Sequence, residues 1–147
     1  MDRKTMIAGA LAGCAVAGLL LAAPQAVAKG KDAKAIARGK YLVEQVAMCI
    51  DCHSPRDPKG QYVRESWLQG APVIFKPTVP MPRWAEAAPP LAGLPGWTEA
   101  QLVTLLTTGK DQKGETPDPP MPEYRMARDD AAAVAAYLAS LGAVARK

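Results

Sequence analysis

The sequence holds little of what most functional classes need. It has one histidine and three cysteines in 147 residues. Its charge is slight, 18 basic against 14 acidic side chains for a net +4. No clustered basic stripe accompanies that excess, so nucleic acid is not implied as a partner. No alternating strand and helix pattern surrounds the cysteines. The length allows one domain and not two.

The scarce residues are gathered in one stretch, Met48-Cys49-Ile50-Asp51-Cys52-His53-Ser54. Cys-x-x-Cys-His is the attachment signature of a covalently held c-type haem. Two thiols three residues apart can add to the two vinyl groups on one edge of the porphyrin. The histidine that follows is then held against the iron as proximal ligand, and no second histidine competes for the place. Three rival readings are weaker. A thioredoxin-like motif needs a βαβ context that is missing. A structural zinc needs four ligands, and Cys49, Cys52 and His53 supply three. A plain disulfide leaves His53 without a purpose.

The N-terminus reads as a targeting segment. Asp2-Arg3-Lys4 is followed by an apolar run over residues 7–23, and Ala26-Val27-Ala28 gives the small-x-small pattern of a signal-peptidase site. Residues 1–28 are therefore expected to be a signal peptide, and residues 29–147 the domain. Two alternatives stand beside this. The run is nearly long enough to persist as an uncleaved anchor. Leu11-Ala12-Gly13-Cys14 also resembles a lipobox, although the apolar run continues beyond Cys14. All three place the domain outside the cytoplasm, in the periplasm, with membrane association through the N-terminus under two of them. Cleavage after Ala28 leaves 119 residues, and losing Asp2, Arg3 and Lys4 with the segment lowers the net charge from +4 to +3.

Within the domain, the apolar spacing of Ala35, Ile36, Tyr41, Leu42, Val43 and Val46 predicts a helix over residues 33–46, running directly into Cys49. Gly39 inside it costs roughly 1 kcal/mol relative to alanine, which points to a close helix crossing or to a frayed start. Nine prolines prevent a long helix anywhere in residues 54–97. Trp67-Leu68 and Val73-Ile74-Phe75 are expected to form brief strands or turns there. Trp67, Phe75, Trp84 and Trp97 are candidates to pack on a haem, where a tryptophan N–H could meet a propionate, although ordinary core packing is the stronger expectation for any one of them. Thr98 and Gln101 form a capping box for a second helix that buries Leu102, Leu105 and Leu106 and ends at Gly109. A last helix is predicted over residues 129–141, with Val134, Tyr137, Leu138 and Leu141 on one side.

The iron's sixth ligand is open on spacing alone. Methionine is the natural donor in the absence of a second histidine, because a thioether favours Fe(II) and raises the potential. Met48 adjoins the proximal edge, and Met126 lies close to the last helix. Met81 and Met121 both sit between prolines, in settings expected to be stiff, extended and poor in backbone donors.

The chain resembles the monohaem class I c-type cytochromes. The resemblance covers residues 38–141 and rests on four groups of residues: Arg38-Gly39-Lys40-Tyr41-Leu42-Val43, Cys49-Ile50-Asp51-Cys52-His53-Ser54-Pro55, Pro89-Pro90-Leu91-Ala92-Gly93-Leu94-Pro95-Gly96-Trp97, and Pro119-Pro120-Met121-Pro122 followed by Ala135-Ala136-Tyr137-Leu138. It implies an all-α, cytochrome c-like fold of three to four helices, with long proline-rich loops wrapped around one covalent haem. It implies that Met121 is the distal ligand, that Gly39 and Tyr137 meet where the terminal helices cross, and that Pro89 or Pro90 accepts the His53 Nδ1–H. The stretch between His53 and Pro89 is longer than in the smallest members and keeps Met81 as an alternative ligand, with Met126 a further one. The implied role is that of an electron carrier rather than an enzyme, working alone as a monomer with periplasmic redox proteins. The alternatives are a subunit of a larger dehydrogenase or oxidase complex, and a haem peroxidase or gas sensor.

Overall fold

The computed structural model describes residues 25–142, with side chains from Asp32 onward. The expected leader and its Cys14 and anchor alternatives fall on residues 1–24 or depend on them, and so lie outside the described residues. Among the described residues no helix is long and apolar enough to cross a membrane. Helix α1 (Gln25–Tyr41) begins eight residues ahead of its expected start, so residues 25–28 of the expected leader form its first turn.

The chain does not run straight from α1 into the cysteines, as its pattern suggested. A π-turn, Leu42–Val46, follows, with the Ala47 N–H donating to Leu42 O (2.8 Å) and the Cys49 N–H to Val43 O (2.9 Å). This wider turn rotates the chain so that the adjacent Leu42 and Val43 are both buried, while Tyr41 and Val46, expected on the same face, are about half exposed. Met48 then adopts φ 49°, a left-handed conformation that non-glycine residues seldom take. That reversal feeds the single-turn helix α2 (Ile50–His53), whose N-cap is Cys49.

Helix α3 (Glu99–Thr108) carries the caps its sequence predicts, with Leu102 and Leu106 buried and Leu105 only partly so. The Thr98 hydroxyl accepts from the Gln101 N–H, the Gln101 side chain accepts from the Thr98 N–H, and Gly109 closes the helix at φ 71°. Helix α4 (Arg128–Ser140) starts one residue early, without a side-chain cap at Ala127, and carries Asp129 and Asp130 in its first turn. It buries Ala131, Ala133, Val134, Ala135, Tyr137 and Leu138.

Helices α1 and α4 cross at Gly39. A β-carbon added there would stand 2.6 Å from the Ala133 carbonyl carbon and 2.7 Å from Tyr137 Cβ, so the glycine has a packing reason. Arg38 Nε and Nη2 meet both carboxylate oxygens of Asp130 (2.9 and 3.1 Å), and the Tyr137 hydroxyl donates to Glu44 Oε1 (2.6 Å). The core continues from this crossing through Ile50, Leu68, Ala92 and Leu94 to Leu102 and Leu106 of α3.

Residues 54–97 carry little regular structure: one 3₁₀ turn, Arg64–Ser66, and a two-residue antiparallel ladder of β1 (Ala71–Pro72) with β2 (Ala87–Ala88), Ala71 opposite Ala88. The ladder and an isolated antiparallel bridge between Arg56 and Tyr62 are the departures from an all-helical architecture among the described residues. Leu68, wholly buried at φ 55°, anchors the stretch. Its carbonyl accepts from the Leu91 and Ala92 N–H groups (2.8 and 3.1 Å), and its own N–H donates to Ser54 Oγ (2.9 Å). Ser54 is 2% exposed. Ser54→Ala strands a buried N–H and is expected to cost about 1–3 kcal/mol, read as a lower denaturant midpoint of the holoprotein.

Candidate functional site

Beside this core lies a cavity of about 660 Å³, within the roughly 300–1,000 Å³ usual for small-molecule and cofactor sites. Cys49, Cys52 and His53 from α2 line it, together with Met121 from the loop before α4. Its apolar wall comes from Leu102, Leu105 and Leu106 of α3, Val134 and Leu138 of α4, and Leu91 and Leu94. The segments around Cys49–His53, Pro89–Trp97, Pro120–Pro122 and α4 thus line one space, whereas none of residues 38–43 does.

The chemistry of the donors is well defined. His53 is buried, and its Nδ1 lies 2.7 Å from the Pro89 carbonyl oxygen. A carbonyl can only accept, so Nδ1 carries the hydrogen and Nε2 keeps its lone pair. Burial lowers the His53 pKa from the ordinary histidine value, with the Pro89 bond partly offsetting this, so the ring stays neutral at neutral pH. Cys49 and Cys52 are free thiols rather than a disulfide. Burial, reinforced by Cys52, pushes the Cys49 thiol up to about 11, which keeps it protonated. An imidazole nitrogen, two thiols and a thioether in an apolar cavity form a donor set suited to a large apolar group with a transition metal at its centre.

The four methionines separate. Met121 lines the cavity. Met81 lines a smaller adjoining pocket of about 240 Å³, which it shares with Met121, and it is 40% exposed. Met126 packs against the core, its N–H donating to Leu106 O (2.9 Å). Met48 lines the cavity beside Cys49 and is half exposed. The proline setting of Met121 is a turn rather than an extended strap, because the Met121 N–H donates back to Asp118 O (3.2 Å).

The four aromatic candidates divide between the cavity and ordinary packing. Trp97 lines the cavity. Trp67 instead packs edge-on to Tyr62 (5.3 Å) against the core, and Phe75 pairs edge-on with Trp84 (5.9 Å) away from the cavity lining. Val73-Ile74-Phe75 forms neither the strand nor the turn expected of it, and Ile74 is 87% exposed. Trp84 Nε1 and Gln69 Nε2 are buried donors without a protein acceptor. Trp84 stands between Arg83 and Ala85, both in the cavity wall.

Several residues of the site carry no motif that sequence reading could use. The Tyr124 hydroxyl donates to Ala47 O (2.9 Å), and burial followed by the neighbouring Cys49 and Cys52 pushes its pKa up to about 12. Arg83 pairs with Asp118 (3.1 Å), and the Ala85 N–H donates to Pro119 O (2.7 Å). The last two contacts join segments more than thirty residues apart, which no local pattern records.

Fold and site together define a c-type cytochrome. A family model for cytochrome c matches residues 36–142, and the chain belongs to that family. Family membership brings a covalent haem c with its iron and a role in electron transfer. The chain is 27% identical over 132 residues to a dihaem cytochrome c-type protein of Cereibacter sphaeroides, covering 86% of this chain and 42% of that one. It is 34% identical to the cytochrome c subunit of the quinone alcohol dehydrogenase of Gluconacetobacter polyoxogenes over 88 residues, 56% of this chain and 18% of that subunit. The matching subunit of Gluconobacter oxydans is 34% identical over 80 residues, 51% of this chain and 16% of that subunit. The chain thus spans less than half the length of the curated relatives it matches.

Proposed function

We propose that this chain is a periplasmic monohaem electron carrier. Cys49 and Cys52 hold one haem c through thioethers, and His53 and Met121 are the proximal and distal ligands of its iron. The observation that carries this is the convergence of the four side chains on one largely apolar cavity.

The bound haem supplies a one-electron Fe(III)/Fe(II) couple. The protein's part is attachment, orientation and exclusion of water. The Cys49 and Cys52 thiols would hold the group as two thioethers, each formed by addition of S–H across a vinyl double bond. Pro89 O fixes the His53 tautomer and ring plane, leaving Nε2 as the donor. Met121 closes the remaining position with a soft donor that favours the reduced state. With His53 and Met121 both serving as donors, no position on the iron would be left for a substrate, which favours a carrier over a peroxidase or sensor.

The absorption spectrum of the purified holoprotein tests this. One haem per chain that resists acidified-solvent extraction is expected, with a methionine–iron charge-transfer band in the ferric form. Extractable haem, or a high-spin ferric spectrum without that band, overturns the reading. A second reading, a cytochrome subunit of a larger periplasmic dehydrogenase, draws support from the 34% identity to two such subunits. Purification from native membranes and periplasm separates the two: a carrier emerges alone, a subunit with a stoichiometric flavin- or quinone-bearing partner.

A further inference from the structure

The turn that presents Met121 is held from both sides by contacts with no role in ligation. Ahead of it, Arg83 Nε pairs with Asp118 Oδ1 (3.1 Å), Arg83 Nη2 donates to Thr116 Oγ1 (3.2 Å), and the Ala85 N–H donates to Pro119 O (2.7 Å). These bonds tie the long stretch after His53 to the Met121 turn. Behind it, Tyr124 Oη donates to Ala47 O (2.9 Å), two residues before Cys49. Tyr124 lines the cavity and is half buried, so the bond is partly shielded from water. Between the two attachments only Pro120, Met121, Pro122 and Glu123 remain, and two of these four are prolines.

We propose that Tyr124 and the Arg83–Asp118 pair are positioning residues that pin the Met121 turn from both sides and set how readily its thioether yields to another ligand. The inference rests on Met121 being the distal ligand. Neither pin touches the iron in this account. They act on the equilibrium between a closed turn, with the thioether in place, and an open one that leaves the position free. An exogenous ligand binds only the open form, so its apparent affinity equals its intrinsic affinity scaled by the open fraction. Loosening a pin raises that fraction and the apparent affinity together.

Imidazole titrated into the ferric holoprotein reads this directly, through loss of the methionine–iron band. Tyr124→Phe removes a partly buried hydrogen bond and is expected to raise imidazole affinity roughly three- to tenfold. Asp118→Asn keeps the side chain's size and removes the ion pair; at half-exposed partners the rise is smaller, roughly two- to fivefold. Asp118→Glu restores the carboxylate and is expected to return affinity to near the wild-type value. A structural brace alone would lower the denaturant midpoint and leave imidazole affinity where it was. Affinities within twofold of wild type in both Tyr124→Phe and Asp118→Asn therefore overturn the proposal, whatever the midpoints do. Should Tyr124→Phe fail to accumulate, Asp118→Asn and its Glu rescue decide alone. Met121→Ala separates the two layers. If it keeps the charge-transfer band, the ligand assignment and the pins fall together. If it loses the band while the pin variants bind imidazole as wild type does, only the pins fall.

Discussion

Met121→Ala is expected to abolish the methionine–iron charge-transfer band of the ferric protein while the haem stays covalently attached. The potential should fall by a sizeable fraction of the roughly 0.8 V over which axial ligands set haem potentials. Loss of a soft donor removes the preference for Fe(II), and water or an added base takes its place. Met81→Ala is the control. Met81 lines only the adjoining pocket and reaches solvent, so its removal should leave band and potential unchanged. Met126→Ala should lower stability without touching the band, since Met126 packs against the core. A band that survives Met121→Ala and disappears in Met81→Ala would falsify the assignment.

Gly39→Ala is expected to destabilise the protein by about 3 kcal/mol or more, against the sign that helix propensity gives. Propensity alone predicts a gain of up to roughly 1 kcal/mol for alanine in a helix interior. Here the added methyl would meet the Ala133 backbone and Tyr137 Cβ, neither of which is the end of a flexible side chain. The two helices must separate to admit it. Separation weakens the Arg38–Asp130 and Tyr137–Glu44 contacts on either side of the crossing. In thermal unfolding of the holoprotein this should appear as a midpoint lowered by roughly 10 °C or more. An unchanged or raised midpoint would show that the crossing can widen at little cost.

How far the sequence could be read depended on how local each cause was. Helix α3 was legible to its ends because Thr98, Gln101 and Gly109 act within three or four residues of the backbone they satisfy. The Cys49, Cys52 and His53 cluster was legible because its spacing is itself the chemistry. The π-turn was not: Leu42, Val43 and Val46 fit an ordinary helical face, and only the burial of two adjacent side chains required the extra residue in the turn. The stretch after His53 hid its organisation most. Its buried anchor, Leu68, is a single residue in a left-handed conformation, and its partners Ser54 and Leu91 lie 14 and 23 residues away. The conspicuous apolar cluster at Val73-Ile74-Phe75 drew attention to the wrong place. Aromatic residues in this stretch pack on one another as readily as on a cofactor, as the Phe75–Trp84 pair does.

The α1–α4 crossing also dictates an order of events in time. Its partners are 92 and 93 residues apart, Arg38 with Asp130 and Glu44 with Tyr137. Joining them closes most of the chain into a loop, an entropic demand met only once the last helix exists. As the polypeptide is made from its N-terminus, residues 49–53 emerge long before α4 can dock. In the closed structure Cys49 is partly buried and its thiol is pushed up to about 11, so little of it is the nucleophilic thiolate. The unclosed chain has no such restraint. On the proposed reading, the Cys49 thiol is less restrained in the interval between its emergence and the docking of Tyr137, an interval set by the formation of α4.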